Sequence, residues 1–313
     1  MQPVRTAVVG VGYLGRFHAE KFATLPGAEL VAVVDTDEGR ASDVAVQFGA
    51  RALADYREIL GEVDAVSIVV PTALHFKVAR EFLNRGVHVL VEKPMTVSVE
   101  EARALIDIAD KQELVLQVGH LERFNSAMLA LKDTLREPRF IESHRLAPFK
   151  DRGADVNVVL DLMIHDIDII QNMVRSPIAS IDANGVSVLT AEPDIANAHI
   201  RFESGCVANV TASRVSLKSE RKIRLFQHDA YISIDLMNRN LRVHRTSDSG
   251  DSHGMDRITV EETSYESGDA LKMEIEAFLD SVAHRRPPAV SGEDGLKALE
   301  TAIAITRMVE SNA

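Results

Sequence analysis

The chain has 313 residues, one cysteine and a formal net charge of −12, a length that suits two domains. With no long basic run, nucleic acid is excluded as the main partner, because neutralising phosphates takes clustered Lys and Arg. Cys206 alone permits neither an intrachain disulfide nor a thiolate zinc site, and no apolar run reaches the roughly 18 residues of a membrane span.

The N-terminal MQPVRTAVVG enters an apparent strand with no hydrophobic leader before it, so a cytoplasmic location is expected. Five short apolar runs follow in the first 120 residues: TAVVG, ELVAVVD, DAVSIVV, VHVLVE and LVLQVG, with a weaker ARAL after the second. They are continuous rather than alternating, as in parallel strands buried on both faces. Helical segments are predicted between them over residues 13–25, 37–48, 73–83 and 99–111. Repeated strand–helix–strand units imply a doubly wound parallel sheet with right-handed crossovers.

GVGYLG, residues 10–15, fits G-x-G-x-x-G between a strand and a helix. Gly10 permits the tight turn, Gly12 lets a pyrophosphate approach the backbone, and Gly15 lets the helix pack closely. Tyr13 and Leu14 complete that turn. Asp35 lies 20 residues beyond Gly15, at the end of the second strand, where a carboxylate binds both ribose hydroxyls and repels a 2′-phosphate. NAD is therefore expected over NADP, with Arg40 the one nearby cation that would favour a phosphate. VEKPM, residues 91–95, ends the fifth strand, where open α/β sheets place ligands. Lys93 either presents its ammonium to a substrate oxygen or pairs with Glu92 in solvent; the local sequence leaves both open.

After about residue 122 the pattern changes. IANAHIRF alternates strictly, SG offers a turn, and CVANVTASRV continues as a hairpin partner. KIRLFQ, AYISIDL and DRITVEE keep that style, which implies an antiparallel sheet with one face on the core. The boundaries read 1–121 and 122–313, with the final helices belonging to the second domain or packing back on the first. The cationic SLKSERKIRLF reads as a solvated strand face. LDLMIHDIDII, residues 160–170, is apolar on both sides of a thin polar stripe formed at helical spacing by Asp161, His165, Asp168 and Asn172. Periodicity leaves open whether the stripe lines a cleft or a solvent edge. No metal cluster is expected.

GVGYLGRFHAE, PTALH (residues 71–75), VEKP and DLMIH occur in this order along nearly the whole chain. The combination resembles the glucose–fructose oxidoreductase, inositol dehydrogenase and rhizopine-catabolism (Gfo/Idh/MocA) family. The resemblance implies an NAD(P)-binding Rossmann domain, then an α/β domain with an open, mostly antiparallel sheet whose free face makes a homodimer or homotetramer. It also implies catalytic roles for Lys93, Asp161 and His165, with His165 accepting a hydroxyl proton. The stripe would then line the substrate cleft. Met163 stands where the family often has glycine, which would narrow the space beside the nicotinamide.

Pro71, Thr72, His75 and Glu92 are expected beside the cofactor, and His120 and Arg123 on the substrate side. GHLERFN followed by LDLMIHDIDI is most similar to the branch oxidising the 3-hydroxyl of UDP-N-acetylglucosamine ahead of amino transfer for lipid A. RLAPFKDRG adds Arg145, Lys150 and Arg152 as candidate diphosphate ligands. The alternatives are a dehydrogenase of inositol, glucose or a related polyol, and a nucleotide-binding sensor without turnover.

Overall fold

The computed structural model describes residues 2–149, 156–246, 258–266 and 268–311. The N-terminal apolar runs form β1 (Val4–Val9), β2 (Ala28–Val34), β3 (Arg51–Leu53), β4 (Ala65–Ile68), β5 (His88–Glu92) and β6 (Leu116–Gly119). All pair in parallel, in the order β3-β2-β1-β4-β5-β6. The order reverses at β1 and β4, and ligands of such sheets bind beyond the strand ends at that reversal. The connecting helices are α1 (Tyr13–Thr24), α2 (Glu38–Phe48), α3 (Thr72–Leu83) and α4 (Val99–Lys111). Asp37 caps α2 by accepting from the Arg40 amide, and Ser98 caps α4 by accepting from that of Glu101.

The change of pattern implies a cut at residue 121 and leaves open where the final helices go; the structure assigns most of them to the first unit. One compact unit comprises Met1–Leu121 with Asp269–Leu299, and the other Glu122–Gly268 with Glu300–Ala313. The cause is the apolar stripe of α7 (Ala270–His284). Leu271, Ile275, Phe278 and Leu279 enter the same cluster as Phe22, Leu25, Leu30 and Val33. The long α8 (Gly292–Ser311) belongs to the first unit up to Leu299.

The second unit is built on an eight-stranded sheet in the order β14-β13-β12-β11-β7-β10-β9-β8. Its strands are β7 (Phe140–Leu146), β8 (Ile178–Val186), β9 (Ile195–Phe202), β10 (Val207–Ser213), β11 (Glu220–Gln227), β12 (Ala230–Asp235), β13 (Asn240–Thr246) and β14 (Ile258–Ser264). Every pairing is antiparallel except β7 with β10. Gly205, at φ +83°, closes the tight turn between β9 and β10. Ile141, Ala208, Val210, Ile223, Leu225, Ile232 and Ile234 are buried from the inner face. On the other face Phe140, Phe226, Tyr231 and His244 form a ladder across four strands, with successive ring centroids 5.8, 5.0 and 5.2 Å apart.

α5 (Ser126–Ala130) and α6 (Ile164–Val174) also belong to this unit. The stretch before α6 is not α-helical: Val159–Met163 forms a π-helical turn, started by Asn157, whose side chain accepts from the Val159 and Leu160 amides. A π turn is wider than an α turn, so the uniform stripe expected from Asp161 through Asn172 is broken. Asp168 is buried, while Asp161, His165 and Asn172 are half-buried.

Candidate active site

In the first unit the glycine-rich turn has the shape a dinucleotide needs. Gly10 sits at φ +87°, and a Cβ there would lie 2.5 Å from the Val69 carbonyl oxygen. A Cβ at Gly15 would overlap the Gly10 carbonyl, whereas nothing lies within 4 Å of one at Gly12. Gly12 begins α1 without a side-chain cap, which leaves main-chain N–H donors and the positive end of the helix dipole for a pyrophosphate. Tyr13 is exposed and Leu14 half-buried beside it. Asp35 accepts from the Val11 amide through Oδ2 and from the Asp37 amide through Oδ1, each at 3.0 Å. Arg40 reaches both oxygens at 3.4 Å. These residues fit an adenosine ribose and its diphosphate.

The Lys93 turn is held from two sides. On one side His75 is buried, with Nδ1 2.9 Å from the Pro94 carbonyl oxygen and Nε2 2.8 Å from that of Val70. Burial, the largest influence, pushes its pKa below the usual histidine range. His75 thus staples the chain together and is not open to a cofactor as expected. On the other side Glu92 accepts from the Lys93 amide at 3.3 Å and lies 3.2 Å from His18 Nε2. His18 Nδ1 is 2.8 Å from Ser67 Oγ. Burial alone would raise the Glu92 pKa, but His18 and Lys93 outweigh it and hold the carboxyl low. The Lys93–Pro94 peptide is cis. Lys93 and Thr72 are half-buried, and Pro71 is exposed before α3.

In the second unit Asp161 lies in the π turn and His165 near the start of α6, both half-buried. Met163 between them is fully buried, so its bulk goes into packing. Arg123 grips Asp168 in a two-pronged pair, Nε to Oδ2 at 2.8 Å and Nη2 to Oδ1 at 2.6 Å. Arg145 corrects the sequence reading. Its side chain is 3% exposed, with Nε 2.6 Å from Asp166 Oδ2 and Nη1 2.9 Å from Glu122 Oε1. β7 points it into the core, so it is a structural cation and not a diphosphate ligand. Lys150 and Arg152 lie outside the described residues. His120 is buried just after β6. Cys206 is buried too, and burial pushes its thiol up to about 11, which makes it inert.

A depression of about 350 Å³ flanks the C-terminal half of α6. Arg123, Lys132, Arg136, Asn172 and Arg175 line it over an apolar floor, with no carboxylate lining it among the described residues. The sequence reading passed over Lys132, Arg136 and Arg175, which are isolated cations along the chain. It also passed over Asp166, because nothing local connects it with Arg145. Among the described residues no three His, Cys, Asp or Glu side chains are grouped to hold a metal, and no helix is long and apolar enough to cross a membrane.

Two family models cover almost all of the chain. Residues 4–120 match "Oxidoreductase family, NAD-binding Rossmann fold" and residues 142–313 match "Oxidoreductase family, C-terminal alpha/beta domain" of the Gfo/Idh/MocA proteins. The chain belongs to this family. UDP-N-acetylglucosamine 3-dehydrogenase of Acidithiobacillus ferrooxidans is 40% identical over 98% of both chains. A crystal form of that enzyme superposes with a TM-score of 0.93, covering 100% of this chain and 99% of the other. The NAD-dependent scyllo-inositol 2-dehydrogenase of Bacillus subtilis is 30% identical, covering 97% of this chain and 93% of its own. Levoglucosan dehydrogenase with NADH and L-sorbose, at 19% identity and a TM-score of 0.88, shares the fold. Like its Gfo/Idh/MocA relatives, the protein is a nicotinamide-dependent dehydrogenase acting on CH–OH groups of sugars, with NAD bound by its Rossmann domain.

Proposed function

We propose that the enzyme oxidises the 3-hydroxyl of UDP-N-acetylglucosamine, with NAD as the hydride acceptor and amino-sugar synthesis for lipid A as the use. The observation that carries this reading is 40% identity, over 98% of both chains, to an enzyme named for that reaction. NAD, when bound, supplies the hydride chemistry; the chain supplies position and proton handling. Gly10, Gly12, Tyr13, Leu14, Gly15 and Asp35 hold the diphosphate and ribose. His165, as a neutral imidazole, takes the proton of the reacting hydroxyl. The Lys93 ammonium stabilises the alkoxide that develops as the proton leaves. Asp161 orients His165 or binds a neighbouring hydroxyl.

The cationic depression beside α6 supports a nucleotide sugar over a free polyol. At a rise of 1.5 Å per residue, Asn172 lies roughly 10 Å along the helix axis from His165. That span is comparable to the reach from a ring hydroxyl to the diphosphate of a nucleotide sugar. Inositol is the second reading, favoured by the 30% identity to scyllo-inositol 2-dehydrogenase.

NADH formation across UDP-N-acetylglucosamine, glucose and inositols decides between them. Turnover of the nucleotide sugar alone supports the proposal, and turnover of a free sugar or polyol in its place overturns it. Lys132→Glu with Arg136→Glu raises KM for the nucleotide sugar and leaves that of a polyol unchanged. His165→Asn lowers kcat by on the order of 10²-fold or more while NAD binding persists; normal turnover would remove His165 from the mechanism. The same reading includes a cytoplasmic location, no nucleic-acid partner, and a homodimer or homotetramer. The ladder of Phe140, Phe226, Tyr231 and His244 supports the free sheet face as the subunit contact.

A further inference from the structure

Glu274 is the most anomalous side chain in the first unit. It lies on α7, is 0% exposed, and neither carboxyl oxygen has a hydrogen-bond partner. An ionised carboxylate is a pure acceptor, and burying one without donors is among the most unfavourable arrangements a core can contain. Gln117 on β6 meets the same problem. Its Nε2 donates to the main-chain oxygen of Glu274 at 3.2 Å, while its Oε1 accepts from nothing. Both side chains therefore lack a donor, and a proton on Glu274 removes the charge from its unpartnered carboxyl.

Gln117 stands on the same strand face as Gly119, two residues on. Gly119 pairs in register with Glu92, and a Cβ there would lie 2.8 Å from Glu92 Oε1 and 3.0 Å from Oε2. The glycine makes room for the Glu92 carboxylate to turn inward. In that position Glu92 meets His18 and receives the Lys93 amide.

We propose that Glu274 is a neutral carboxylic acid that completes a buried polar group with Gln117, Glu92, His18 and Ser67, and that it is a positioning residue for Lys93. One arrangement of protons avoids placing two negative charges in the group. Ser67 donates to His18 Nδ1 at 2.8 Å, His18 Nε2 faces an ionised Glu92 at 3.2 Å, and Glu274 keeps its proton. Ionising Glu274 would place a second negative charge near Glu92 and drive that carboxylate away from the Lys93 main chain. The titratable or charged groups of this group are His18 from α1, Glu92 and Lys93 from β5 and its turn, and Glu274 from α7. Burial, followed by the charge of Glu92, holds the Glu274 pKa well above the usual carboxyl range.

The role assigned to Lys93 rests on the proposed function, whereas the protonation of Glu274 does not. Infrared spectra of the full chain with NAD, taken across neutral pH, test the proton directly. The expected result is a protonated-carboxyl stretch that disappears in Glu274→Gln; its absence from the wild type overturns the proposal. For positioning, Glu274→Leu should lower kcat by on the order of tenfold to a hundredfold without changing KM for NAD, and Glu274→Gln should restore it. Equal losses in the two variants, or none in either, overturn the positioning role. If Glu274→Leu does not fold, the spectrum and the pH profile of kcat in Glu274→Gln still decide. If no sugar is oxidised while the band is present, the proposed function fails and the protonated Glu274 stands.

Discussion

Two buried acids, Asp166 on α6 and Glu274 on α7, face the same physical problem and solve it differently. Asp166 is met by donors: Ser143 donates to Oδ1 at 2.9 Å and Arg145 to Oδ2 at 2.6 Å. Arg145 in turn reaches Glu122, which also receives Arg221 at 3.1 Å. Burial would lower the Arg145 pKa, but Asp166 and Glu122 reverse that and raise it. Glu274 has neither a guanidinium nor a hydroxyl, and its proton takes their place. The contrast shows that the donors around a buried carboxyl, and not depth alone, decide how it is accommodated.

Removing the cation tests the first solution most severely. Arg145→Met leaves Asp166 and Glu122 buried without their main partner, and should destabilise the protein by about 3–5 kcal/mol in a denaturant titration. A loss well below that would mean the carboxyls take up protons as Glu274 does. Glu274→Gln tests the second solution with the opposite sign. A folded-state pKa raised above the unfolded value contributes stability that is full below the unfolded value, roughly 4.3, and is lost as pH rises through the folded value. Glu274→Gln should therefore gain on the wild type as pH rises, by up to about 1.4 kcal/mol per pH unit; a difference independent of pH would mean that Glu274 is ordinarily ionised.

Asp194 gives a smaller and reversed effect. Although burial opposes it, the amides of Leu189, Thr190 and Val188, with Arg214, hold its pKa far below the usual range. Its contribution is full above an unfolded value of roughly 3.9 and is lost as pH falls towards the folded one. Asp194→Asn should cost on the order of 1 kcal/mol at neutral pH, and the gap from wild type should close on acidification. Unfolding midpoints at pH 7 and at pH 3 check both halves.

Much of the first unit was legible because its parallel strands are buried on both faces and leave unbroken apolar runs. The glycine turn, Asp35 and the EKP turn were readable for the same reason: their chemistry is local. The second unit hid more. β7 points Ser143 and Arg145 inward, so its alternation is not one of apolar with polar residues. β8 is an edge strand with little burial, and neither it nor β13 was anticipated. The π turn before α6 has no composition signal, and the Arg145–Asp166 pair spans 21 residues that nothing local connects. Glu274 did leave a trace. Flanked on the helix by Leu271, Ile275 and Phe278, it is an acid on the apolar stripe, where a solvated glutamate has no reason to be.

The return of α7 to the first unit has a consequence for how the protein is made. Leu271, Ile275 and Phe278 are translated long after Phe22 and Val33, yet share one core with them. A ribosome that has released only the dinucleotide-binding strands has produced a sheet with part of its apolar covering still to come. Completion of the first half of the enzyme waits for nearly the last of the chain.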